Sequence, residues 1–260
     1  MRAETDLGTG TRSVPSASAS ASAPASASPI PSSAAPKLAP AAAAPRLATR
    51  VRRLVADALP RAVIVRKGVG KAKRVALTFD DGPADMTDAY LEVLERFGAR
   101  ATFFVVGTAC VARRDALLRM VARGHEVAGH GFTHDAFTRM SAPALRDELR
   151  RTALLLPPVA DGRPLVRPPT GATSLRSLAL SAQAGYTTVL WSRDSDDCRT
   201  LSPDVVAARL APESLSPGDI VLLHESQTWT LAALPRILQG LAATGWRTVT
   251  VSEILKPTDS

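Results

Sequence analysis

From residue 62 onward, short apolar runs alternate with segments whose apolar residues recur at helical spacing. The short runs predict strands over 63–66, 75–79, 101–106, 126–128, 165–167, 187–191, 220–223 and 247–251. The periodic segments predict helices over 87–97, 113–123, 142–155, 174–184, 202–210 and 231–243. Ser141 and Ser202 suit helix N-caps, with Pro143 and Pro203 in the first turn, where a missing N–H costs nothing. Gly98, Gly124, Gly185 and Gly245 follow four of the helices, as left-handed C-caps do. Strands alternating with helices predict an α/β fold around a largely parallel sheet, either a barrel or a doubly wound sheet.

The first quarter of the chain follows neither period. Residues 13–45 are almost entirely Ala, Ser and Pro. Such a stretch has no large apolar side chains to offset the entropy of ordering it, so residues 1–45 read as a disordered tail. Residues 46–61 read as a basic connector, with Leu47, Val51, Leu54, Val55 and Leu59 at the spacing of a short amphipathic helix. Residues 62–260 then form the one domain of ordinary size. The net charge is +8, and much of the excess lies in 46–74, where ten Lys and Arg face only Asp57. That segment suits either an anionic surface, such as acidic wall polymer or phospholipid, or a solvated connector. No nucleic-acid partner is expected. Cys110 and Cys198 make no disulfide framework, and no apolar run is long enough to cross a membrane. The opening residues mix Arg2, Glu4 and Asp6 and lack a Leu/Val-rich centre, so no secretory signal is expected.

The polar residues cluster at the C-terminal ends of the expected strands. Asp80 and Asp81 follow the second, His130 and His134 the fourth, Arg167 ends the fifth, acids from Asp194 to Asp197 follow the sixth, and His224 ends the seventh. In a closed parallel barrel these ends meet on one face. Two imidazoles and the Asp81 carboxylate make an open three-ligand site for a divalent ion, which acidifies water and favours a developing oxyanion. Asp80 can accept a proton from the attacking water if a cation such as Arg167 keeps it ionised. His224 titrates near neutral pH and can protonate a departing amine. A backbone N–H just after Arg167-Pro168-Pro169 can face the oxyanion. Each feature has a plainer reading when taken alone, as a turn, an incidental histidine pair or a rim ion pair. Their joint placement carries the weight.

These residues together resemble the polysaccharide deacetylase family of chitin, peptidoglycan and acetylxylan deacetylases, over about residues 62–255. The stretch 75–83 (VALTFDDGP) is similar to the family's first motif, and 101–107 (ATFFVVG) to the strand that follows. His130 and His134 are similar to the second motif, Arg167-Pro168-Pro169 to the third, Trp191 to Asp197 to the fourth, and Leu222-Leu223-His224 to the fifth. The resemblance implies a distorted (β/α)7 barrel and a zinc-type ion, with cobalt, nickel and manganese as alternatives. It implies that Asp81, His130 and His134 hold the metal, Asp80 is the base and His224 the acid. It further implies that Asp197 supports Arg167 and that the Thr170 amide, beside Pro168, serves the oxyanion. The expected activity is N-deacetylation of an N-acetylhexosamine polymer or oligomer. O-acetyl ester hydrolysis and catalytically silent glycan binding are the alternatives, and an extracellular or envelope site of action is expected from the resemblance. Four departures stand out: Gly131 replaces the usual Ser or Thr, Thr170 the usual Tyr, Cys198 the usual Trp and Glu225 the usual Asp. They take away a loop-fixing hydroxyl and aromatic surface from a chain with 4% aromatic residues, which points to a shallow groove or an atypical acyl substrate.

Overall fold

The structure is a computed structural model that describes residues 59–159 and 162–257. The expected tail and nearly all of the expected basic connector lie outside the described residues. Among the described residues nine strands form one sheet: β1 (Ile64–Val65), β2 (Arg74–Gly82), β3 (Ala101–Val105), β4 (Glu126–Gly129), β5 (Leu165–Val166), β6 (Thr187–Val189), β7 (Arg193–Asp194), β8 (Ile220–His224) and β9 (Arg247–Thr248). Eight α-helices accompany them: α1 (Thr87–Arg96), α2 (Gly107–Ala112), α3 (Arg114–Ala122), α4 (Ala142–Ala153), α5 (Leu175–Gln183), α6 (Pro203–Arg209), α7 (Thr228–Ala243) and α8 (Val251–Ile254).

The strand order is β1-β6-β5-β4-β3-β2-β8-β7, with β9 joined to the start of β2, and every paired strand is parallel. β6 and β7 are consecutive in the chain, yet β6 is next to the first strand of this order and β7 is the last, so the sheet must curl round to meet itself. Residues 190–192 cross the gap: the Leu190 N–H donates to Val65 and the Ser192 N–H to Ile220. The result is the expected distorted barrel with an imperfect seam.

Alternation along β2 assigns its side chains. Val75, Leu77 and Phe79 pack outward with Tyr90, Leu94, Leu234 and Leu238 under α1 and α7. Ala76 belongs to the inner cluster with Phe104, Ala128, Val189 and Ile220, which leaves Thr78 and Asp80 facing the barrel interior. Ser141 and Ser202 cap α4 and α6 through side-chain oxygens, and the glycines after α1, α3, α5 and α7 all take positive φ. Three expectations need correction. The stretch 187–191 ends as a strand at Val189, because residues 190–192 bridge the seam. The last strand stops at Thr248, and Thr250 caps α8 through a capping box with Glu253. α2 and β7 are additional short elements. Within the basic segment, Arg61, Lys73 and Arg74 donate to carbonyls of the domain and Lys67 pairs with Asp219 at 3.5 Å.

Candidate active site

Because the strands are parallel, Asp80, His130, Arg167 and His224 emerge at the same rim. Asp80 is the register partner of His224, and Gly129, just before His130, is the partner of Val166, just before Arg167. By simple alternation Asp81 would turn toward the helices. Instead the register slips between Asp80 and Gly82, and Asp81 adopts φ 72°, which brings its carboxylate back over the rim. Asp81 Oδ1 lies 3.0 Å from His134 Nε2 and 3.5 Å from His130 Nε2. His134 also has a left-handed backbone, at φ 68°. Such strain in two non-glycine residues persists where surrounding structure enforces it, commonly at functional sites.

One ligand atom from each of Asp81, His130 and His134 lies within 4.8 Å of the others. The donor set fits a divalent cation on its own chemistry. His130 Nδ1 is 2.8 Å from the Arg167 carbonyl, which can only accept, so Nδ1 carries the proton and Nε2 presents its lone pair to the shared space. Burial raises the Asp81 carboxyl, but the hydrogen bonds and charges of His130 and His134 outweigh it and hold that carboxyl well below the usual range. The hydrogen bond that His134 donates to the Asp81 carboxylate lifts His134 above its ordinary value against the effect of burial. Three side chains so coupled around one anion form a site a cation would complete.

Asp80 stands at the inner side of this cluster and is 3% exposed. Its Oδ1 accepts from Arg167 Nη1 at 2.6 Å, while Oδ2 is 3.7 Å from His130 Nε2. Arg167 is fully buried, lies over the Phe104 ring at 4.0 Å, and also donates to Thr78 Oγ1 at 2.8 Å. Pro168 and Pro169 follow, both buried, and the exposed Thr170 sits at φ 61° in a short 3-10 turn. Gly171 lies against Trp191, where a Cβ would meet the indole at 2.5 Å.

On β8, the strand beside Asp80, His224 Nδ1 is 2.7 Å from Asp197 Oδ1, and the His224 backbone N–H donates to Asp197 Oδ2 at 2.8 Å. Asp197 also accepts from Thr230 Oγ1, and its carbonyl from Trp229 Nε1. The expectation that Asp197 supports Arg167 is therefore corrected: Arg167 binds Asp80, and Asp197 serves His224. The turn after β7 and the start of α7 make this difference, and both lay outside the predicted elements. Burial pulls His224 down, yet the hydrogen bond and charge of Asp197, with Asp80 and Asp81, raise it above its ordinary value. His125, by contrast, lies at the other end of the strands. Its Nδ1 accepts from Ala101 N–H at 3.2 Å, and burial pushes it down to about 4, as suits a structural residue.

Sequence reasoning passed over Glu148, Trp229 and Thr230. Glu148 left a legible trace, an acid sharing one face of α4 with Leu145, Leu149 and Thr152. Trp229 and Thr230 left none, because α7 starts three residues ahead of its first periodic position.

Residues 67–189 match the sequence model of the polysaccharide deacetylase family. The chain is 38% identical over 204 residues to a chitooligosaccharide deacetylase of Sinorhizobium fredii, covering 70% of this chain and 92% of the relative. It is 35% identical over 190 residues to a peptidoglycan-N-acetylglucosamine deacetylase of Bacillus cereus, covering 71% and 89%. Among solved structures it resembles a family 4 carbohydrate esterase from Streptomyces lividans in complex with acetate, with a TM-score of 0.64, 34% identity and coverage of 69% and 93%. Other relatives are much longer: the chain spans 31% of a bifunctional xylanase/deacetylase of Pseudobutyrivibrio xylanivorans and 39% of a Listeria monocytogenes peptidoglycan deacetylase. With a curled parallel sheet and relatives at 35% and 38% identity matched over 89% and 92% of their length, this chain is a member of the polysaccharide deacetylase family.

Proposed function

We propose that the chain is a metal-dependent hydrolase that removes N-acetyl groups from a poly- or oligosaccharide of N-acetylhexosamine, releasing acetate and a free amine. One observation carries this reading: the Asp81, His130 and His134 ligand atoms converge at the rim that also carries an Asp80–Arg167 pair and a His224–Asp197 pair. Asp81, His130 and His134 hold the ion, which we assign as zinc. When bound, it supplies Lewis-acid polarisation of the acetyl carbonyl and a more acidic water.

The remaining steps belong to side chains. Arg167 donates to Asp80 Oδ1 and occupies that oxygen, so Oδ2 is the atom that takes the proton from the attacking water. To the Thr170 N–H, which follows the Arg167-Pro168-Pro169 run, we assign the stabilisation of the developing oxyanion. Asp197 fixes the proton on His224 Nδ1, which leaves Nε2–H to protonate the departing amine. An amine needs that proton more than an alkoxide does, so a supported His224 favours amide over ester cleavage.

The likeness to the Sinorhizobium and Bacillus deacetylases supports an N-acetylated glycan, and the acetate held by the Streptomyces relative supports acetate as product. The likeness to that esterase and to the xylanase/deacetylase favours O-acetyl hydrolysis as a second reading. The relatives named for peptidoglycan support action at the cell envelope. Acetate release from chitin oligomers, peptidoglycan strands and acetylxylan, each with zinc, cobalt, nickel or manganese supplied to the stripped protein, tests all of this. Full activity in Asp80→Asn or His130→Ala protein would overturn the assigned roles.

A further inference from the structure

Between the two imidazoles runs the segment Gly131-Phe132-Thr133, whose backbone groups have traceable partners. The Gly131 and Phe132 carbonyls accept from the Gly107 and Thr108 N–H groups at 2.9 Å each. Its amides point the other way, into α4. There Glu148 Oε2 accepts from Phe132 N–H at 2.6 Å and Thr133 N–H at 3.0 Å, and Oε1 accepts from Thr133 Oγ1 at 3.0 Å. Glu148 is 6% exposed, so no water competes for these donors in bulk. One turn further along α4, the Arg151 guanidinium covers the Phe132 ring at 3.6 Å.

Gly131 itself takes φ 81°, and a Cβ there would approach Phe137 at 3.2 Å and Glu148 Oε2 at 3.4 Å. A serine or threonine at 131 would be strained in this backbone and would crowd the carboxylate.

We propose that Glu148 is a positioning residue that presets His130 and His134 for the cation by holding the backbone between them. The proposal rests on the metal-centre reading above. A charged acceptor on two adjacent amides fixes the backbone that separates the two ligands, so the imidazoles need no reordering when the ion arrives. Glu148 touches neither the ion nor the substrate, and its effect is read in the binding of the ion.

The test is titration of zinc into the metal-free 260-residue chain, by calorimetry or against a chromophoric chelator, alongside a thermal melt of each metal-free protein. Glu148→Asp keeps the charge but withdraws the carboxylate, and its zinc affinity is expected to fall about 10- to 100-fold. Glu148→Gln keeps one oxygen for the two amides and an N–H for Thr133 Oγ1, and is expected to stay within about threefold of the parent. Thr133→Val, which removes the hydroxyl's bonds to Glu148 and to Asp135 and leaves α4 intact, is expected to weaken zinc by a few-fold and serves if Glu148→Asp does not fold. Parent-like zinc affinity in folded Glu148→Asp, or in Thr133→Val if that is the folded variant, overturns the proposal while leaving the metal centre standing. Absence of zinc binding by the parent overturns the metal-centre reading itself.

Discussion

Asp197 holds His224 at two points: one carboxylate oxygen lies 2.7 Å from the ring Nδ1, and the other accepts the backbone N–H of the same residue at 2.8 Å. Both the orientation and the proton affinity of the imidazole therefore depend on one buried anion. In Asp197→Asn protein the charge that raises His224 is gone, so the imidazolium loses its proton at lower pH. The basic limb of the kcat profile is expected to move to lower pH, with kcat falling about 100-fold at its optimum. A pH–rate series on both proteins checks this, and an unmoved basic limb contradicts the role given to His224.

Arg167 and Asp80 form a pair with almost no solvent contact, 2.6 Å apart. Arg167→Met leaves the carboxylate buried without its cation, a change that costs about 3–5 kcal/mol in comparable pairs. Denaturant unfolding is expected to show that loss. Asp80→Asn in the same chain should recover part of it, because the stranded charge is then removed.

Zinc binding by the folded chain alone stabilises it by mass action. At a free concentration of 100 times Kd the gain is about 2.7 kcal/mol. Thermal melts with and without zinc are expected to separate for the parent and to coincide for His134→Ala. Separation of the two curves in His134→Ala would place the cation elsewhere.

Glu225 presents a stored electrostatic cost. Its Oε1 accepts from Ala84 N–H and Thr87 Oγ1, but Oε2 has no partner and lies where a Cβ on Gly82 would be. Burial first, and the Asp81 charge after it, push the carboxyl from its ordinary 4.5 up to about 7. The folded chain binds this proton more tightly than the unfolded one. Stability from this group is therefore full below pH 4.5 and lost as pH rises to about 7, by roughly 3 kcal/mol. Glu225→Gln removes the charge while keeping the shape, so metal-free protein is expected to be more stable than the parent at pH 8 and similar at pH 4.5. Urea midpoints at the two pH values decide it.

The strand ends were legible because chemistry-bearing residues terminate apolar runs, and parallel strands bring such ends to one rim. Asp80, Asp81, His130, His134, Arg167 and His224 all gather there. What the sequence hid were contacts made by irregular backbone. The pairing of Asp197 with His224 depends on a turn after a two-residue strand, and Asp81 reaches the histidines through a register slip that no periodicity records. Long hydrophobic patterns announce themselves, whereas β7, α2 and the first turn of α7 are too short or too polar to do so. Glu148 lies between these cases, since an acid on the buried face of α4 is visible in the heptad but its partners are not.

The seam at residues 190–192 bears on how the molecule behaves in company. A nine-stranded sheet left open offers two rows of unsatisfied amides and carbonyls to any neighbouring chain. Here the terminal strands in the order, β1 and β7, are two residues each, and the crossing segment stitches their neighbourhoods together through Val65 and Ile220. Among the described residues little template remains for edge-to-edge growth into aggregates, so the chain from 190 to 197, which carries the crossing and then Asp197, also covers the sheet's most adhesive geometry.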